Sequence, residues 1–402
     1  MTQLSNPISF KDTELLKPIK LGKIELSHRV VLSPLTRLRN DPETFIANVD
    51  LLKEYYSQRS KRPGSLVITE GVNTEFGSVG FFPGVSGIWT AEQTSAWKEI
   101  IDAVHANHSF VVVQLYHFGR LAHPKVLKEL GLPYVAPSPI YIKENPNYPN
   151  FEKDSIESGT PLRELTIDEI SDILDNFVNA AKNSINSAGA DGVQIHVANG
   201  YLLNQFLDPE SNQRADKYGG SIENRSRLIL ELIDRLDEEF NGLDKVSVRI
   251  SPFGIYGGLK GAGGDPLLLA QYAHLVGELE LRRQQGKALQ FLEVIQPRYS
   301  LKSKDEDDDV LGLRKIQGSN EFVSTIWKGK LISNGNLGND QSLILKEIED
   351  GRTLISIGRN YISNPDLPDR LENGWPLSRY DRDTFYEGGA KGYIDYPRYE
   401  KN

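Results

Sequence analysis

A chain of 402 residues, 39% hydrophobic and 25% charged, holds enough apolar material for one large barrel or two to three ordinary domains. Its net charge of −9 argues against nucleic-acid or anionic-membrane partners, which need a basic face, and the absence of cysteine excludes disulfides, thiolate metal sites, Fe–S clusters and a cysteine nucleophile. The opening segment MTQLSNPISF has neither a basic n-region nor an apolar h-region, and no run of about 18 apolar residues occurs, so a cytoplasmic protein is expected.

Short runs rich in Val, Ile and Leu recur along the chain and predict strands at Arg29–Leu32, Ser65–Thr69, Phe110–Leu115, Gly192–His196, Lys245–Ile250, Leu289–Val294, Lys330–Ser333 and Leu354–Gly358. Helical patterns fall between and after them, near 48–60, 91–106, 167–187, 222–240, 267–285, 320–327, 340–349 and 365–373. Thr90 with Gln93 and Thr166 with Glu169 have capping-box spacing, and Ser221 can cap the helix that follows it. Eight strand–helix pairs predict a single α/β domain over 1–402, a closed (β/α)₈ TIM barrel. An open doubly wound sheet would carry a Gly-rich turn after its first strand, where this chain reads SPLTRLRN. Residues 116–165 are too long for a turn and predict a capping excursion after strand three, over the barrel mouth. Residues 296–319 carry the run Lys304-Asp305-Glu306-Asp307-Asp308-Asp309, expected as an acidic, mobile loop rather than a metal site.

Barrel enzymes place reactive groups at the C-terminal ends of strands, and the unusual polar residues fall there. Thr36 follows strand one, Glu70 and Gly71 strand two, Gln114 lies near the end of strand three, and Arg249 near the end of strand five. Strand four ends in GVQIHVANGY, placing His196, Asn199 and Tyr201 together. An imidazole and an amide can hold a carbonyl oxygen as charge develops on it, and a phenol can deliver a proton nearby. A lone histidine at a strand end is usually core; the Asn and Tyr three and five residues later favour chemistry. No second ligand stands at metal spacing. Arg249 at an inward or rim position needs an anion, either a structural carboxylate or a cofactor. Gln114 can donate and accept together, as a pyrimidine edge requires. Gly335-Asn336 and Gly358-Arg359 suit a phosphate or ordinary turns at helix starts equally well. Tyr116, Tyr256, Phe385 and Tyr386 could wall a flat ligand or fill core, and Gly219-Gly220 suits a turn before Ser221.

Several segments together resemble the old yellow enzymes, flavin-dependent ene-reductases of (β/α)₈ fold, over about Leu15 to Pro397. They are SPLTR from Ser33, LVITEG from Leu66, HVANGYLLNQFL from His196, NQRADKYGGSIENR from Asn212, VRISPFG from Val248, IGRNYISNPDL from Ile357 and DRDTFY from Asp381. The resemblance implies tightly bound, non-covalent FMN and NADPH or NADH as reductant. It implies ping-pong reduction of the activated C=C bond of enals and enones, with hydride from flavin N5 and a proton from Tyr201. His196 and Asn199 would hold the carbonyl, with Tyr116 and Tyr386 beside the substrate. Pro34, Leu35 and Gly71 would line the flavin ring, Thr36 meet O4, Gln114 the pyrimidine edge and Arg249 the N1/O2 region. Gly335, Asn336, Gly358 and Arg359 would take the phosphate. Thr36, where another subgroup has cysteine, places the chain nearer the yeast-type members. Tyr116 stands where many of these carry tryptophan, which leaves substrate orientation open. A flavoprotein that binds phenols or steroids without physiological turnover is the alternative; a monomer or homodimer is expected.

Overall fold

The computed structural model describes residues 8–80, 82–143, 149–297, 318–335, 337–338, 341–386 and 388–400. Asn336 and the acidic run at 304–309 lie outside the described residues. Eight strands form the frame: β1 Val30–Leu32, β2 Leu66–Asn73, β3 Phe110–Tyr116, β4 Gly192–Val197, β5 Val246–Ile250, β6 Phe291–Ile295, β7 Leu331–Asn334 and β8 Thr353–Ile357. Each pairs in parallel with its sequence neighbour, and β8 pairs with β1, so the sheet closes into the expected (β/α)₈ barrel. The helices that return the chain are α1 Val49–Arg59, α2 Ala91–His105, α3 Ile167–Lys182, α4 Ile222–Phe240, α5 Leu267–Gln284, α6 Glu321–Ile326, α7 Gln341–Glu347 and α8 Leu367–Asn373. Both capping boxes form, at Thr90/Gln93 and Thr166/Glu169, and Ser221 accepts from the amide of Asn224.

Side chains alternate across each strand, so every second residue faces the barrel interior. Outward residues such as Val193, Ile195, Val246 and Val248 pack beneath the helices. Burial of each such side chain contributes about 1.5–3 kcal/mol. Inward residues change character along the barrel axis. At the N-terminal end Val31, Ile68, Val112, Phe291, Ile332 and Leu354 make an apolar plug, which an antiparallel pair, Ile19–Leu21 with Ile24–Leu26, closes from below. Continuing two residues at a time toward the C-terminal end, Val112 gives way to Gln114, Phe291 to Glu293, Ile332 to Asn334 and Leu354 to Ser356. The mouth is therefore polar by position.

Two local departures from the predicted elements have physical causes. β2 runs four residues beyond Thr69, and its pairing with β3 shifts between Ile68 and Gly71. That bulge resets the alternation, which turns Gly71 toward the site. The helix expected to reach 187 leaves α-geometry at Asn183 and finishes as a wide π turn, where the Ser184 hydroxyl donates to the Ala180 carbonyl at 2.7 Å. Beyond β3 the cap is built from helices Pro124–Leu130 and Phe151–Ser158 and a parallel strand pair, Tyr134–Ala136 with Leu162–Glu164. Its core, including Leu121, Leu127, Tyr134 and Phe151, packs against Tyr116, Phe118, Tyr201 and Tyr256 at the mouth.

Just past β2, Glu75 is held between the barrel and α3, where it accepts from the Asn176 amide at 2.7 Å. Burial raises its carboxyl to about 7, against an ordinary value of 4.5. The folded state therefore binds this proton more tightly than the unfolded chain, so the group's contribution to stability is full below about pH 4.5 and is lost as pH rises to about 7. Glu75→Gln cannot ionise and keeps an acceptor for Asn176. It is expected to melt a few degrees above wild type at pH 8, about 2 kcal/mol, and level with it at pH 4.5. Equal melting temperatures at pH 8 would show that the carboxyl is not strained there.

Candidate active site

The segment after β4 has one backbone solution. Asn199 and Gly200 both take left-handed conformations, with φ of 54° and 74°. A Cβ on Gly200 would lie 2.4 Å from the Tyr256 carbonyl oxygen, so only glycine fits. The Asn199 amide N–H donates to Ser251 Oγ at 3.0 Å and that of Gly200 to Asn204 Oδ1 at 2.9 Å. Gln205 fastens the turn to the loop after β3, donating to the carbonyls of Gly200 at 2.7 Å and Phe118 at 2.9 Å. Tyr201 then meets Tyr116 and Phe118 edge to face, at ring separations of 4.9 Å and 5.5 Å, and stands 4.9 Å from the His196 ring. These contacts fix its ring without using its hydroxyl.

His196 itself is an inward residue of β4. Burial, reinforced by the Arg249 guanidinium, holds its imidazole well below the ordinary histidine range, so it is neutral at physiological pH. Its Nδ1 is buried without a hydrogen-bond partner among the described residues. A neutral ring can accept or donate there without a change of charge.

His196, Asn199 and Tyr201 line a cavity of about 900 Å³ at the C-terminal end of the barrel, within the usual range for ligand sites. The structure brings the other predicted residues to the same cavity. Pro34, Leu35 and Thr36 reach it from β1, Gly71 from β2, Gln114 and Tyr116 from β3, and Arg249 from β5. Gly335, Gly358 and Arg359 close its far end, and Tyr256, Phe385 and Tyr386 stand at its sides. Tyr386 is 55% exposed and forms the rim. Gly71 and Gly358 are close approaches: a Cβ would meet the Tyr116 ring at 3.0 Å and Leu35 Cδ2 at 3.1 Å. Gly335 has φ of 124° and faces Gln296. Gly219-Gly220 stays outside the cavity as the turn before Ser221.

The structure also answers what offsets Arg249. Its Nε lies 3.3 Å from Glu293 Oε2, a structural carboxylate. Sequence reasoning passed over Glu293, although a lone charge inside FLEVI is itself a signal of an inward polar position. Gln194 was missed too, two residues before His196 and on the same face.

A third group missed from sequence fastens the wall. Arg37 and Arg39, in the loop after β1, hold the carbonyls of the C-terminal segment. Arg37 Nε donates to Phe385 at 2.9 Å and its Nη2 to Gly392 at 2.8 Å; Arg39 donates to Thr384 at 2.8 Å and Gly389 at 3.0 Å. Tyr393 stacks on Tyr55 at 4.2 Å, with the Arg39 guanidinium 4.4 Å from its ring.

The donor set suits an anionic, flat, heteroaromatic cofactor. The Gln114 amide and the Arg249 guanidinium line one cavity, Arg249 Nε is buried without a hydrogen-bond partner among the described residues, and two glycines allow close approach. Comparison with known proteins agrees. Residues 14–378 match the NADH:flavin oxidoreductase / NADH oxidase family. The chain is 45% identical over 397 residues to enoate reductase 1 of Kluyveromyces lactis, covering 98% of this chain and 96% of that one. It is 38% identical to a probable NADPH dehydrogenase of Candida albicans, over 100% of this chain and 95% of the other. The crystal structure of old yellow enzyme from Pichia sp. AKU4542 superposes with a TM-score of 0.88, at 38% identity over 98% of this chain and 95% of that one. The chain belongs to the NADH:flavin oxidoreductase / NADH oxidase family. Within it, this is an FMN-dependent NAD(P)H oxidoreductase of the old yellow enzyme type.

Proposed function

We propose that the protein reduces the activated C=C bond of α,β-unsaturated aldehydes and ketones, with NADPH or NADH as reductant. The observation that carries this reading is the convergence of His196, Asn199 and Tyr201 on the cavity that Gln114 and Arg249 also line. When bound, FMN supplies the hydride chemistry. Pro34, Leu35 and Gly71 would line its ring, Thr36, Gln114 and Arg249 its polar edge, and Gly335, Gly358 and Arg359 its phosphate, with Asn336 as the adjoining candidate. His196 and Asn199 hold the substrate's carbonyl oxygen and stabilise the negative charge that gathers on it. Tyr201 delivers a proton to the α-carbon, its ring braced by Tyr116 and Phe118. The cap and the C-terminal segment shield the site from water. Reductant and enone use one cavity in turn, which gives ping-pong kinetics.

The experiment is anaerobic. The purified protein should be yellow, bleach with NADPH, and recover its colour when cyclohexenone is added. A colourless preparation that is fully active defeats the flavin assignment. A yellow one whose NADPH oxidation ignores cyclohexenone defeats the ene-reductase assignment and leaves a binding protein.

A further inference from the structure

This inference rests on the flavin reading above and concerns the layer of side chains beneath it. Glu293 projects inward from β6 and is fully buried. Its Oε2 accepts from Gln194 Nε2 at 2.7 Å and lies 3.3 Å from Arg249 Nε. Its Oε1 is buried with no hydrogen-bond partner among the described residues. Gln194 Oε1 in turn accepts from Gln114 Nε2 at 2.7 Å. The contacts form a chain, Gln114–Gln194–Glu293–Arg249, whose two ends are the residues assigned to the cofactor's polar edge.

Removing a carboxylate from water costs several kcal/mol unless a cation offsets it, and Arg249 is its one ion-pair partner among the described residues. Arg249 needs no anion for its geometry alone. Its Nη2 approaches Asn334 Oδ1, at 3.5 Å, whereas its Nε, though 3.3 Å from Glu293, makes no hydrogen bond among the described residues. What a carboxylate adds is charge. A lone guanidinium against the cofactor's polar edge would strongly favour the reduced form, where negative charge gathers. With Glu293 behind it, the site presents an ion pair whose field falls off faster with distance than that of a cation.

We propose that Glu293 is a positioning residue that acts through Arg249 by tempering its charge, holding the reduction potential of the bound flavin below the value an unbalanced guanidinium would give. The balance has opposite consequences in the two half-reactions. A lower potential makes reduction by NADPH less favourable and transfer to the alkene more favourable.

The test is the midpoint potential of the FMN-loaded protein, measured against a reference dye. Glu293→Gln keeps the size of the side chain and an acceptor for Gln194 while removing the charge. It is expected to raise the ratio of reduced to oxidised flavin at fixed potential about tenfold, equivalent to about 30 mV for a two-electron couple. In stopped flow its reduction by NADPH should be faster and its reoxidation by cyclohexenone slower. Glu293→Asp keeps the charge at a greater distance and should raise that ratio by a smaller factor, about twofold to threefold. A loaded Glu293→Gln with unchanged potential, or one whose only defect is weaker flavin binding, overturns the proposal. Should Glu293→Gln lose its flavin on purification, Glu293→Asp decides. It draws the carboxylate back from the guanidinium by one methylene, so a small rise supports the charge balance and no rise overturns it. Failure of the flavin reading itself is distinguishable, because wild type would then be colourless with no potential to measure.

Discussion

Tyr201→Phe should slow cyclohexenone turnover by about 10²–10⁴-fold, the usual worth of a positioned general acid. Reduction of the flavin by NADPH should stay within about twofold of wild type, because that step asks no proton of the phenol. The separation is clean for a structural reason. The Tyr201 ring is held by edge-to-face contacts with Tyr116 and Phe118 and by the Gly200–Gln205 turn, and phenylalanine keeps all of these. Stopped-flow measurement of the two half-reactions decides it. Equal slowing of both would move Tyr201 from proton donor to scaffold.

The second large effect concerns the carbonyl grip. A double variant, His196→Leu with Asn199→Gly, removes both donors while respecting the backbone, since glycine is at home at the φ of 54° that Asn199 adopts. Loss of one donor to a developing oxyanion costs about 10²–10³ in rate, and two acting on one oxygen are not additive. Turnover of cyclohexenone should therefore fall by at least about 10²-fold. Unlike Tyr201→Phe, this variant should also bind phenols weakly, seen as loss of the long-wavelength band they form with flavin. Phenol binding at wild-type strength would place the carbonyl elsewhere in the cavity.

How far the sequence announced these features follows from burial. A parallel strand is covered on both faces, so VSVRI and GVQIHV stand out as apolar runs, and all eight barrel strands begin within two residues of expectation. Period two then places Gln114, His196 and Arg249 inward. The bulge at Gly71 was illegible because register belongs to two strands, and one sequence does not show which residues face each other. The antiparallel pair under the barrel escaped for another reason. Its strands are three residues long with an exposed charge at each centre, too short for a pattern. Arg37 and Arg39 gave no signal because their partners are backbone carbonyls some 350 positions away, and any residue type supplies a carbonyl. Glu293 was visible as a charge in an apolar run, but its meaning required Arg249 to be seen beside it.

The arginine clamp has a consequence for how the molecule is made. Phe385 and Tyr386 wall the cavity, and the arginines that hold the Phe385 carbonyl stand in the first βα loop, more than 300 residues earlier in the chain. A nascent chain can close every strand of the cylinder by Ile357 and still lack one side of its chamber, with two guanidinium groups waiting for acceptors. Completion of the compartment thus waits on the segment from Thr384 to Gly392, whose integrity is as much a condition for activity as that of the barrel.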